Sequence, residues 1–580
     1  MDPAQEPREF AEKIGSPSSH SGGTAGHRPQ TVYDWLCQHA HDKPDAPAVA
    51  EWRADAKGPW LTYAATLRIV DELANGFRQR VQPGRRVLLV LPNGIPFYCS
   101  FLACMAAGVV AVPCPTPGPA RGGAFTERLN SIADDCQPAL AVTDPAWIDT
   151  ISDAMNGRCQ TITYDAARQA SDDLGSIRDA FTPVALLQYT SGSTGRPRAI
   201  TVTHEAIGAN CSQAAQAYGE SNDDVGVSWV PLYHDLGLNT GVMRPLFSGY
   251  PSVLLRPDDF VRRPLTWLRA IEICHGTLSS APNFAYDLCV RKIPHERAAK
   301  LDLRRWRIAR NAGEVVRADT VKRFAAHFGP AGLAETTVCT GYGLAEATLS
   351  VTTCTPQIPP LHIQVLRDDF QRGKITISSD SPARETSVHT LLSSGIPLAG
   401  TQVRAGDGQG YVGPIYIRGP QVVGGKQAHN GSSSPDAWYD TGDLGFIYAG
   451  HLFVVGRADD TVIYHGCNFY LADVMAVCND IDGLRPGRIV PFVVHDQELA
   501  TDKLYVIAEV RSEISSDPEY LRTIAATVRR QLAFDLEFFV NKVAFVPGGG
   551  IPVTTSGKLR ASETKRRFID GHLPVLSVYL

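Results

Sequence analysis

The chain has 580 residues, a formal net charge of −5 and 44% hydrophobic residues. These values indicate a large soluble protein with more than one core. A near-neutral charge argues against nucleic acid as the main partner, because binding to the phosphate backbone requires a basic surface.

Neither a membrane span nor a secretory signal is predicted. The longest apolar run, residues 96–113, is interrupted by Ser100 and Gly108 and predicts a buried helix that leads into a strand. The N-terminus reads MDPAQEPREF and has no basic or apolar signal region, so a cytoplasmic location is expected. Thirteen cysteines are scattered without a C-x-x-C pair, which is typical of reduced core thiols.

The first two thirds of the chain predict an α/β architecture. Residues 1–30 are polar and rich in Gly, Ser and Pro, which indicates a flexible leader. A helix is predicted from Thr31, and strands then alternate with helices, an arrangement that favours parallel sheets with right-handed crossovers. The predicted strands are 86–91, 109–112, 139–142, 184–189, 225–230, 253–256, 276–279 and 305–309, and the first predicted helices between them are 97–107 and 125–135.

A polar loop follows the predicted strand 184–189. The run YTSGSTGRPR combines glycines, which allow close approach of the backbone to an anion, with hydroxyl donors and the charge of Arg198. It is not a P-loop, because Pro197 and a β-branched run follow it instead of Lys-Ser/Thr and a helix, so the loop joins strand to strand. A phosphate-holding loop is predicted here, and a polar surface turn is the alternative.

Polar clusters follow several of the later strands. They occupy residues 229–238, 279–284, 311–316 and 341–348. Ligands of open α/β sheets bind beyond the carboxyl ends of such strands, and these clusters lie at those ends.

The composition changes beyond Thr352. Short β-prone pieces predict a small β-rich unit, and a hairpin is expected to end at Arg457. From about Thr461 a compact unit follows, with predicted helices at 471–479 and 518–532, predicted strands at 488–494, 504–510 and 542–546, and a final loop at 551–561.

Five motifs, in order, resemble those of the adenylate-forming superfamily, whose members join a carboxylic acid to AMP. They are YTSGSTGRPR, YGLAE, YDTGDLG, GRADD and IPVTTSGK. The resemblance covers roughly residues 31–570. It implies an N-terminal adenylation domain, residues 31–457, built from α/β subdomains and a β-rich subdomain, and a small mobile α+β C-terminal domain, residues 458–580.

Within this superfamily the chain resembles the fatty acyl-AMP ligases. The likeness rests on LQYTSGSTG, on PLYHDLGL with the downstream SAPNFAYDLCVRKI, and on NAGEVVRADTVKRF leading to GYGLAEATLSV. A surplus of chain at about 356–393 resembles the insertion of these ligases, which is thought to restrain the small domain and to disfavour coenzyme A. A surface elaboration without that role is the alternative.

The resemblance implies an ATP and Mg²⁺ site. Asp443 would accept hydrogen bonds from both ribose hydroxyls beside Arg457, and Glu346 would help to hold Mg²⁺. The alternatives are a local turn cap for Asp443 and a helix-terminus role for Glu346. The implied ATP-binding residues are Thr190, Ser191, Gly192, Ser193, Thr194, Gly195, Arg198, Ala312, Gly313, Glu314, Gly341, Tyr342, Gly343, Leu344, Ala345, Asp443 and Arg457.

Catalytic and substrate residues follow from the same resemblance. Lys558 would reach the α-phosphate and carboxylate oxygens as a point charge, and His234 would line the point where carboxylate and phosphate meet. Asp459 occupies the hinge position between the domains. Solvated surface side chains are the alternative for Lys558 and Asp459, and a structural histidine for His234. The implied substrate-binding residues are Trp229, His234, Asn239, Pro282 and Asn283.

The chain departs from the family at several positions. Arg198-Ala199 replaces Lys-Gly, and after the hinge Cys467 and Phe469 replace an arginine and a histidine. The expected acyl tunnel contains polar or charged residues at Asn239, Thr240 and Arg244, so a polar or short acid is an alternative to a fatty acid, and the sequence does not give the chain length.

The function expected from these features is ATP-dependent formation of acyl-AMP, followed by acyl transfer to the phosphopantetheine thiol of an acyl carrier protein in a polyketide or peptide assembly pathway. An acyl-CoA synthetase using free coenzyme A and a catalytically silent adenylate-binding protein are the alternatives. An amino-acid adenylation domain is less favoured, because no acidic residue stands out to hold an α-amino group.

Overall fold

The computed structural model describes residues 30–53, 55–117, 122–169, 181–190, 197–378, 388–406, 410–423, 437–464, 467–496, 501–536, 538–553 and 559–579. Almost all of the predicted leader, and the predicted residues Ser191 to Gly195 and Lys558, lie outside these ranges.

The first part of the chain alternates helices and strands, as predicted. Its elements are α1 (Val32–Asp42), β1 (Pro47–Arg53), β2 (Ala56–Lys57), β3 (Leu61–Thr62), α2 (Tyr63–Arg78), β4 (Arg86–Val90), α3 (Ile95–Ala106), β5 (Val110–Pro113), α4 (Gly122–Cys136), β6 (Leu140–Thr143), α5 (Ile148–Met155), β7 (Gln160–Thr163), α6 (Tyr164–Arg168), β8 (Val184–Thr190) and β9 (Arg198–Thr203).

Six of these strands form one sheet in the order β7-β6-β4-β5-β8-β9. All neighbours are parallel except β8 and β9, which are antiparallel and pair Thr190 with Arg198. The predicted strand-to-strand position of the polar loop is therefore confirmed. The apolar run that could have suggested a membrane span is the buried helix α3 followed by β5, and every residue from Phe97 to Ala106 is buried.

A second α/β unit follows. Its elements are α7 (His204–Tyr218), β10 (Gly226–Ser228), α8 (Asp235–Leu238), a π-helical turn (Asn239–Met243), α9 (Arg244–Ser248), β11 (Ser252–Leu254), α10 (Pro257–Arg262), α11 (Leu265–Ile273), β12 (Leu278–Ala281), α12 (Asn283–Lys292), α13 (His295–Ala298), β13 (Ile308–Asn311), α14 (Ala318–Phe328), β14 (Val338–Gly343) and β15 (Ser350–Thr353).

The third part is β-rich, as predicted. It comprises β16 (His362–Leu366), α15 (Arg367–Gln371), β17 (Val388–Leu392), β18 (Ile396–Pro397), β19 (Gln402–Ala405), β20 (Gly413–Arg418), β21 (Tyr439–Tyr448) and β22 (His451–Arg457). The last four strands form an antiparallel sheet, and β16 pairs with β17. The predicted insertion thus contains a two-stranded hairpin with the short helix α15.

A ten-stranded sheet unites the second unit with both flanking parts. Its order is β18-β15-β14-β13-β12-β10-β11-β1-β2, with β3 paired to β1. The central strands β14, β13, β12, β10 and β11 are mutually parallel. Aromatic side chains on one side, including Trp267, Trp306 and Phe324, pack edge to face in its core.

The C-terminal unit has its own core. It comprises β23 (Thr461–Tyr464), β24 (Cys467–Tyr470), α16 (Leu471–Cys478), β25 (Leu484–Asp496), β26 (Thr501–Val510), α17 (Pro518–Leu536), β27 (Lys542–Val546), α18 (Ala561–Ile569) and β28 (Ser577–Tyr579). The sheet β25-β26-β27-β28 is packed by α16 and α17. The hairpin β25-β26 is longer than predicted, and the short β28 was not predicted. In the described part of the chain, no helix is long and apolar enough to cross a membrane.

Asn93 connects the two large sheets. It lies just beyond β4, is buried, and its Nδ2 donates to the carbonyls of Val230 (2.9 Å) and Leu255 (3.1 Å). Its Oδ1 accepts from the Leu232 N–H at 2.9 Å. One side chain therefore satisfies three buried backbone groups of the second sheet.

Asn93→Ala is expected to lower the midpoint of thermal unfolding by roughly 3–8 °C, because each buried backbone group left without a partner costs about 1–3 kcal/mol. Differential scanning calorimetry measures the shift. Asn222→Ala, in an exposed turn, is the matched control and should leave the midpoint nearly unchanged. Equal shifts for the two variants would contradict this role of Asn93.

Candidate active site

The predicted polar clusters lie at one edge of the ten-stranded sheet. Strands β12, β13 and β14 are parallel and in register, with Ala281 beside Asn311 and Asn311 beside Thr340. Their carboxyl ends therefore lie side by side, and the segments after them begin at the same edge. The predicted clusters after β12, β13 and β14 thus lie at one sheet edge, and their joint role as a ligand site stays a prediction.

Asp443 is held between a tyrosine and an arginine from different elements. The Tyr342 hydroxyl, at the end of β14, donates to Asp443 Oδ2 at 2.5 Å. Arg457 Nε lies 3.4 Å from Asp443 Oδ1, because β21 and β22 place these two residues opposite each other. The carboxylate is thus fixed by a neutral donor on one side and a cation on the other.

The protonation states of this group follow from burial and charge. Burial, and then the charge of Asp443, raise the pKa of Tyr342, so its hydroxyl remains a donor. Burial alone would lower the pKa of Arg457, but the carboxylates of Asp443, Asp460 and Asp459 outweigh it and raise that pKa. Arg457 therefore stays charged next to the predicted hinge.

Glu346 lies close to Arg198, Tyr439 and Asp235. Burial raises the pKa of the Glu346 carboxyl and the nearby charge of Asp235 adds to this, while a hydrogen bond with Tyr439 and the charge of Arg198 oppose it. The pKa of Tyr439 is raised by burial and then by Glu346. The end of the predicted phosphate loop and the predicted metal residue, which are far apart in the chain, thus share one environment.

His234 is the N-cap of α8 and lies beside Asp235. The His234 Nδ1 and Asp235 Oδ1 atoms are 2.5 Å apart, and the Leu236 N–H donates to Asp235 Oδ1 at 2.6 Å. Gln188 Nε2, on the strand that leads into the phosphate loop, donates to the Tyr233 carbonyl at 2.8 Å. This hydrogen bond places the turn that carries His234 beside β8.

The remaining predicted ATP residues form the backbone of the sheet edge. The Ala312 N–H donates to the Ala281 carbonyl at 3.2 Å, and Gly313 follows with φ = +87°, a conformation that favours glycine. Glu314 Oε2 accepts from the Phe284 N–H at 3.0 Å. A Cβ atom at Gly343 would lie 1.9 Å from the Leu349 carbonyl, so the chain can turn there only without a side chain. In that turn, which contains Leu344 and Ala345, the Leu344 N–H donates to the same carbonyl at 2.8 Å.

Three predicted substrate residues have structural partners. Trp229 is buried and stacks on Phe260 with ring centroids 3.8 Å apart. The side chain of Asn283 donates to Thr320 Oγ1 (3.2 Å) and accepts from Asn311 Nδ2 (3.1 Å), and Pro282 is the N-cap of α12. These positions are explained by packing and hydrogen bonding.

Asn239 differs from these three residues. It begins the π-helical turn, and both polar atoms of its buried amide lack a hydrogen-bond partner among the described residues.

The stem of the C-terminal loop faces the N-terminal domain. Val553 and Leu559 form a β-bridge on either side of residues 554–558. Arg560, two residues beyond Lys558, is near Arg128 of α4, whose pKa is lowered first by burial and also by the charge of Arg560. Tyr233, next to His234, also acts electrostatically on Arg128. Arg560, just beyond this loop, and Tyr233 therefore both lie in the surroundings of Arg128.

The structure describes the predicted hinge residue Asp459 and the two residues after it, Cys467 and Phe469, that depart from the family pattern. Asp459 lies in the 3₁₀ turn Ala458–Asp460 between β22 and β23. Phe469 is buried in the C-terminal core, 4.3 Å from Phe538 by ring centroids, so it serves packing where the family has histidine. Cys467 is half-buried in β24.

Tyr439 and Asp235 were not assigned roles from the sequence. Tyr439 belongs to the YDTGDLG motif and Asp235 to PLYHDLGL, so both stood in recognised motifs. Their proximity to Glu346 depends on the packing of β21 and α8 against the turn after β14, which local patterns do not specify.

Glu346→Gln is expected to raise the midpoint of thermal unfolding at pH 8 and to have little effect near pH 4. A carboxyl whose pKa is higher in the folded protein binds more protons there than in the unfolded chain. Wild-type stability therefore falls as pH rises from the unfolded pKa through the raised folded pKa, whereas glutamine does not ionise. Unfolding of the nucleotide-free proteins between pH 4 and 8 measures the difference. Glu335→Gln, at an exposed position, is the control, and an increment for Glu346→Gln that does not vary with pH would contradict the assignment.

Comparison with known proteins identifies the family. The family model for the AMP-binding enzyme matches residues 36–425. The medium-chain fatty acid–acyl carrier protein ligase JamA of Moorena producens is 31% identical over 539 residues, which cover 88% of this chain and 90% of that protein. The 4-hydroxyphenylalkanoate adenylyltransferase of Mycobacterium tuberculosis is 32% identical over 523 residues, covering 84% of this chain and 82% of that protein.

A solved structure from a study of fatty acyl-adenylate ligases of E. coli and L. pneumophila has the same fold. It superposes with a TM-score of 0.83 and 28% identity, covering 94% of this chain and 98% of that one. The motifs, the sheet-edge site and these similarities agree. The chain belongs to the AMP-binding enzyme family of the adenylate-forming superfamily and is an acid-activating ligase that resembles the fatty acyl-AMP ligases.

Proposed function

We propose that this enzyme converts a carboxylic acid and ATP into acyl-AMP and pyrophosphate, and then transfers the acyl group to the phosphopantetheine thiol of an acyl carrier protein. The observation that carries the proposal is the convergence of two charged groups at one sheet edge. One group is Tyr342, Asp443 and Arg457, and the other is Arg198, Glu346 and Tyr439.

The first step is an in-line substitution at the α-phosphorus of ATP. A carboxylate oxygen of the acid forms the new bond to phosphorus, and the bond to the pyrophosphate oxygen breaks, so the protein needs no nucleophile of its own. Its task is to align two anions and to stabilise charge on the phosphoryl oxygens.

Each group of residues has a part in this alignment. Residues 190–195 and Arg198 hold the β- and γ-phosphates, Asp443 binds the ribose hydroxyls, and residues 312–314 and 341–345 border the adenine. Lys558, carried by the C-terminal loop, places its ammonium at the α-phosphate and carboxylate oxygens, and His234 lines their meeting point. Arg198 retains the charge of the usual lysine with a planar head that suits phosphate oxygens.

The carboxylates present fit a magnesium site completed by substrate phosphates. Among the described residues no group of three His, Cys, Asp or Glu side chains could hold a metal alone. Mg²⁺ at nucleotide sites uses one or two carboxylates plus phosphate oxygens, which matches Glu346 with Asp235 nearby. When bound, the ion would neutralise charge on the triphosphate.

In the second step the thiol sulfur attacks the acyl carbon and AMP leaves. The choice of a carrier protein over coenzyme A is supported by contacts between the insertion and the small domain. Arg367 and Gln371 of α15 donate to the carbonyls of Asp535 and Leu536 at the end of α17, the latter at 2.7 Å. Phe370 packs 5.4 Å from Tyr470 by ring centroids.

Neighbouring contacts add to this interface. Arg317 Nη1 donates to the Ala472 carbonyl at 2.6 Å and lies 3.5 Å from Asp473, and His389 Nε2 lies 3.8 Å from the same carboxylate. Burial is the main cause that lowers the pKa of His389. These contacts support the proposal that the insertion restrains the small domain at Asp459 and thereby disfavours free coenzyme A. The acyl carrier protein named for JamA agrees with this acceptor.

The proposed function is tested by incubating the purified protein with ATP, Mg²⁺ and a panel of carboxylic acids of different chain lengths. Acid-dependent release of pyrophosphate and acyl-AMP is expected. Lys558→Ala should lower the rate by roughly 10²–10³-fold, because one preorganised charge at the transition state contributes that much. Lys300→Ala, on an exposed surface, is the control. Failure of every acid to form acyl-AMP would refute the function, and an unchanged rate in Lys558→Ala would refute the assignment of that lysine.

The double variant Arg367→Ala, Gln371→Ala is expected to increase thioester formation with free coenzyme A about 30-fold, because it removes from the restrained arrangement two hydrogen bonds worth about 1 kcal/mol each. Acyl-AMP formation should change little. Thioester products are quantified by mass spectrometry, with Arg372→Ala, at an exposed position of the insertion, as the matched control. No gain in acyl-CoA would show that these contacts do not select the acceptor.

A further inference from the structure

A polar cavity lies next to the helix that follows His234. It measures about 20 Å³. Polar and charged side chains line it on one part, and apolar side chains and tyrosine rings complete the wall: Glu220, Thr240, Arg244, Ser279, Ser280 and Arg310, with Tyr218, Val227, Tyr250, Leu278 and Ile308. Thr240 belongs to the π-helical turn that continues α8, six residues after His234. At 1.5 Å per residue this corresponds to about 9 Å of helix.

One arginine in the cavity wall has an acidic partner. Arg244 is buried and forms an ion pair with Glu220, and the second oxygen of Glu220 accepts from Ser248 Oγ at 3.1 Å. The Arg244 guanidinium also lies 4.7 Å from the centroid of Tyr218. The charge of Glu220 is therefore already used by Arg244.

Arg310, the other arginine in the cavity wall, has no acidic hydrogen-bond partner among the described residues. Arg310 is 1% exposed, and its Nε, Nη1 and Nη2 atoms have no hydrogen-bond partner among the described residues. Its guanidinium is 5.8 Å from the centroid of Tyr218 and lies against Gly341, where a Cβ atom would be 3.3 Å from Nε. The buried carboxylate of Asp224 is paired with Arg307, with an N–O distance of 2.7 Å.

This leaves one uncompensated positive charge in the cavity. A guanidinium does not lose its proton in proteins, and a buried charge without a partner is strongly unfavourable. Its planar donor fork matches the two oxygens of a carboxylate. Asn239 precedes Thr240 in the same turn, and its unpartnered amide adds a hydrogen-bond donor and an acceptor next to the cavity-lining Thr240.

We propose that the acid activated by this enzyme carries a second carboxylate on its tail, and that Arg310 binds it. The inference rests on the proposed acid activation and specifies its substrate class. One carboxylate would react near His234, and the tail would run along α8 and the π-helical turn to the cavity. The ion pair of Arg244 with Glu220 would hold the opposite wall. A dicarboxylic acid is thus favoured over a fatty acid with an apolar end.

The experiment compares monocarboxylic acids with α,ω-dicarboxylic acids of equal carbon number. Acyl-AMP formation by the wild type is expected to show kcat/KM at least about 100-fold higher for the dicarboxylic acid at its best length, since unpaired buried polar groups reject analogues strongly. Arg310→Met should lose this preference, with activity on monocarboxylic acids kept or raised, and Arg310→Lys should be intermediate. Arg305→Met makes the same change at an exposed position and should leave both activities as in the wild type.

A binding measurement separates failure of this inference from failure of the proposed function. The preferred dicarboxylic acid should raise the midpoint of thermal unfolding of the wild type and not that of Arg310→Met, whether or not any acid is adenylated. Arg310→Met should itself be folded and no less stable than the wild type, because it replaces an uncompensated buried charge by an apolar side chain. If Arg310→Met does not fold, the inference is tested by the wild-type preference for dicarboxylic acids and by its reduction in Arg310→Lys. A wild type that prefers monocarboxylic acids at every length would overturn the inference while leaving acid activation intact.

Discussion

Parallel pairing of β10, β12, β13 and β14 is the constraint on which the site depends. Parallel strands end at the same edge of a sheet, so four polar segments that are separated along the chain begin next to one another. The antiparallel sheet of β21 and β22 then supplies Asp443 and Arg457 from outside, and the Tyr342 hydroxyl bonds to the carboxylate that this sheet presents. The site is therefore built where two sheets of different type meet.

Buried charge distinguishes the functional parts of this molecule from the rest of its interior. Arg244 forms an ion pair with Glu220, and Arg307 forms one with Asp224. Within each pair the charges compensate, so neither pair requires a charged ligand. The Glu346 carboxyl is half-buried with another carboxylate nearby, and buried Arg310 has no hydrogen-bond partner among the described residues. Such groups cost stability in the ligand-free protein, and a cation near Glu346 or an anion near Arg310 would recover that cost.

The interface between the insertion and the small domain combines a few polar contacts with one aromatic contact. Arg367 and Gln371 bond to backbone carbonyls at the end of a helix, where such groups lack intrahelical partners. Because these hydrogen bonds have modest net energy, the interface can bias an orientation of the small domain without making it permanent. The 3₁₀ turn Ala458–Asp460, next to Arg457, is the short segment that we propose as the hinge.

Local patterns in the sequence determined many of the secondary-structure elements and the family of this protein. The alternation of strands and helices, the strand-to-strand position of the loop between β8 and β9, the buried helix α3 and the β-rich unit followed from hydrophobic periodicity and turn residues, and the motifs identified the family. The limits of the predicted strands differed by a few residues. Several strands were not predicted, among them β1, β7, β14 and β28, and the three-residue edge strand β28 leaves almost no pattern.

Only the tertiary structure decided which charges meet. Three features depend on packing between segments distant in the chain: Tyr439 and Asp235 adjoin Glu346, α15 contacts the end of α17, and Glu220 compensates Arg244. The same packing leaves Arg310 without a hydrogen-bond partner in the part of the chain that the structure describes. Sequence periodicity records which face of an element is buried, but it does not record which partner lies opposite that face.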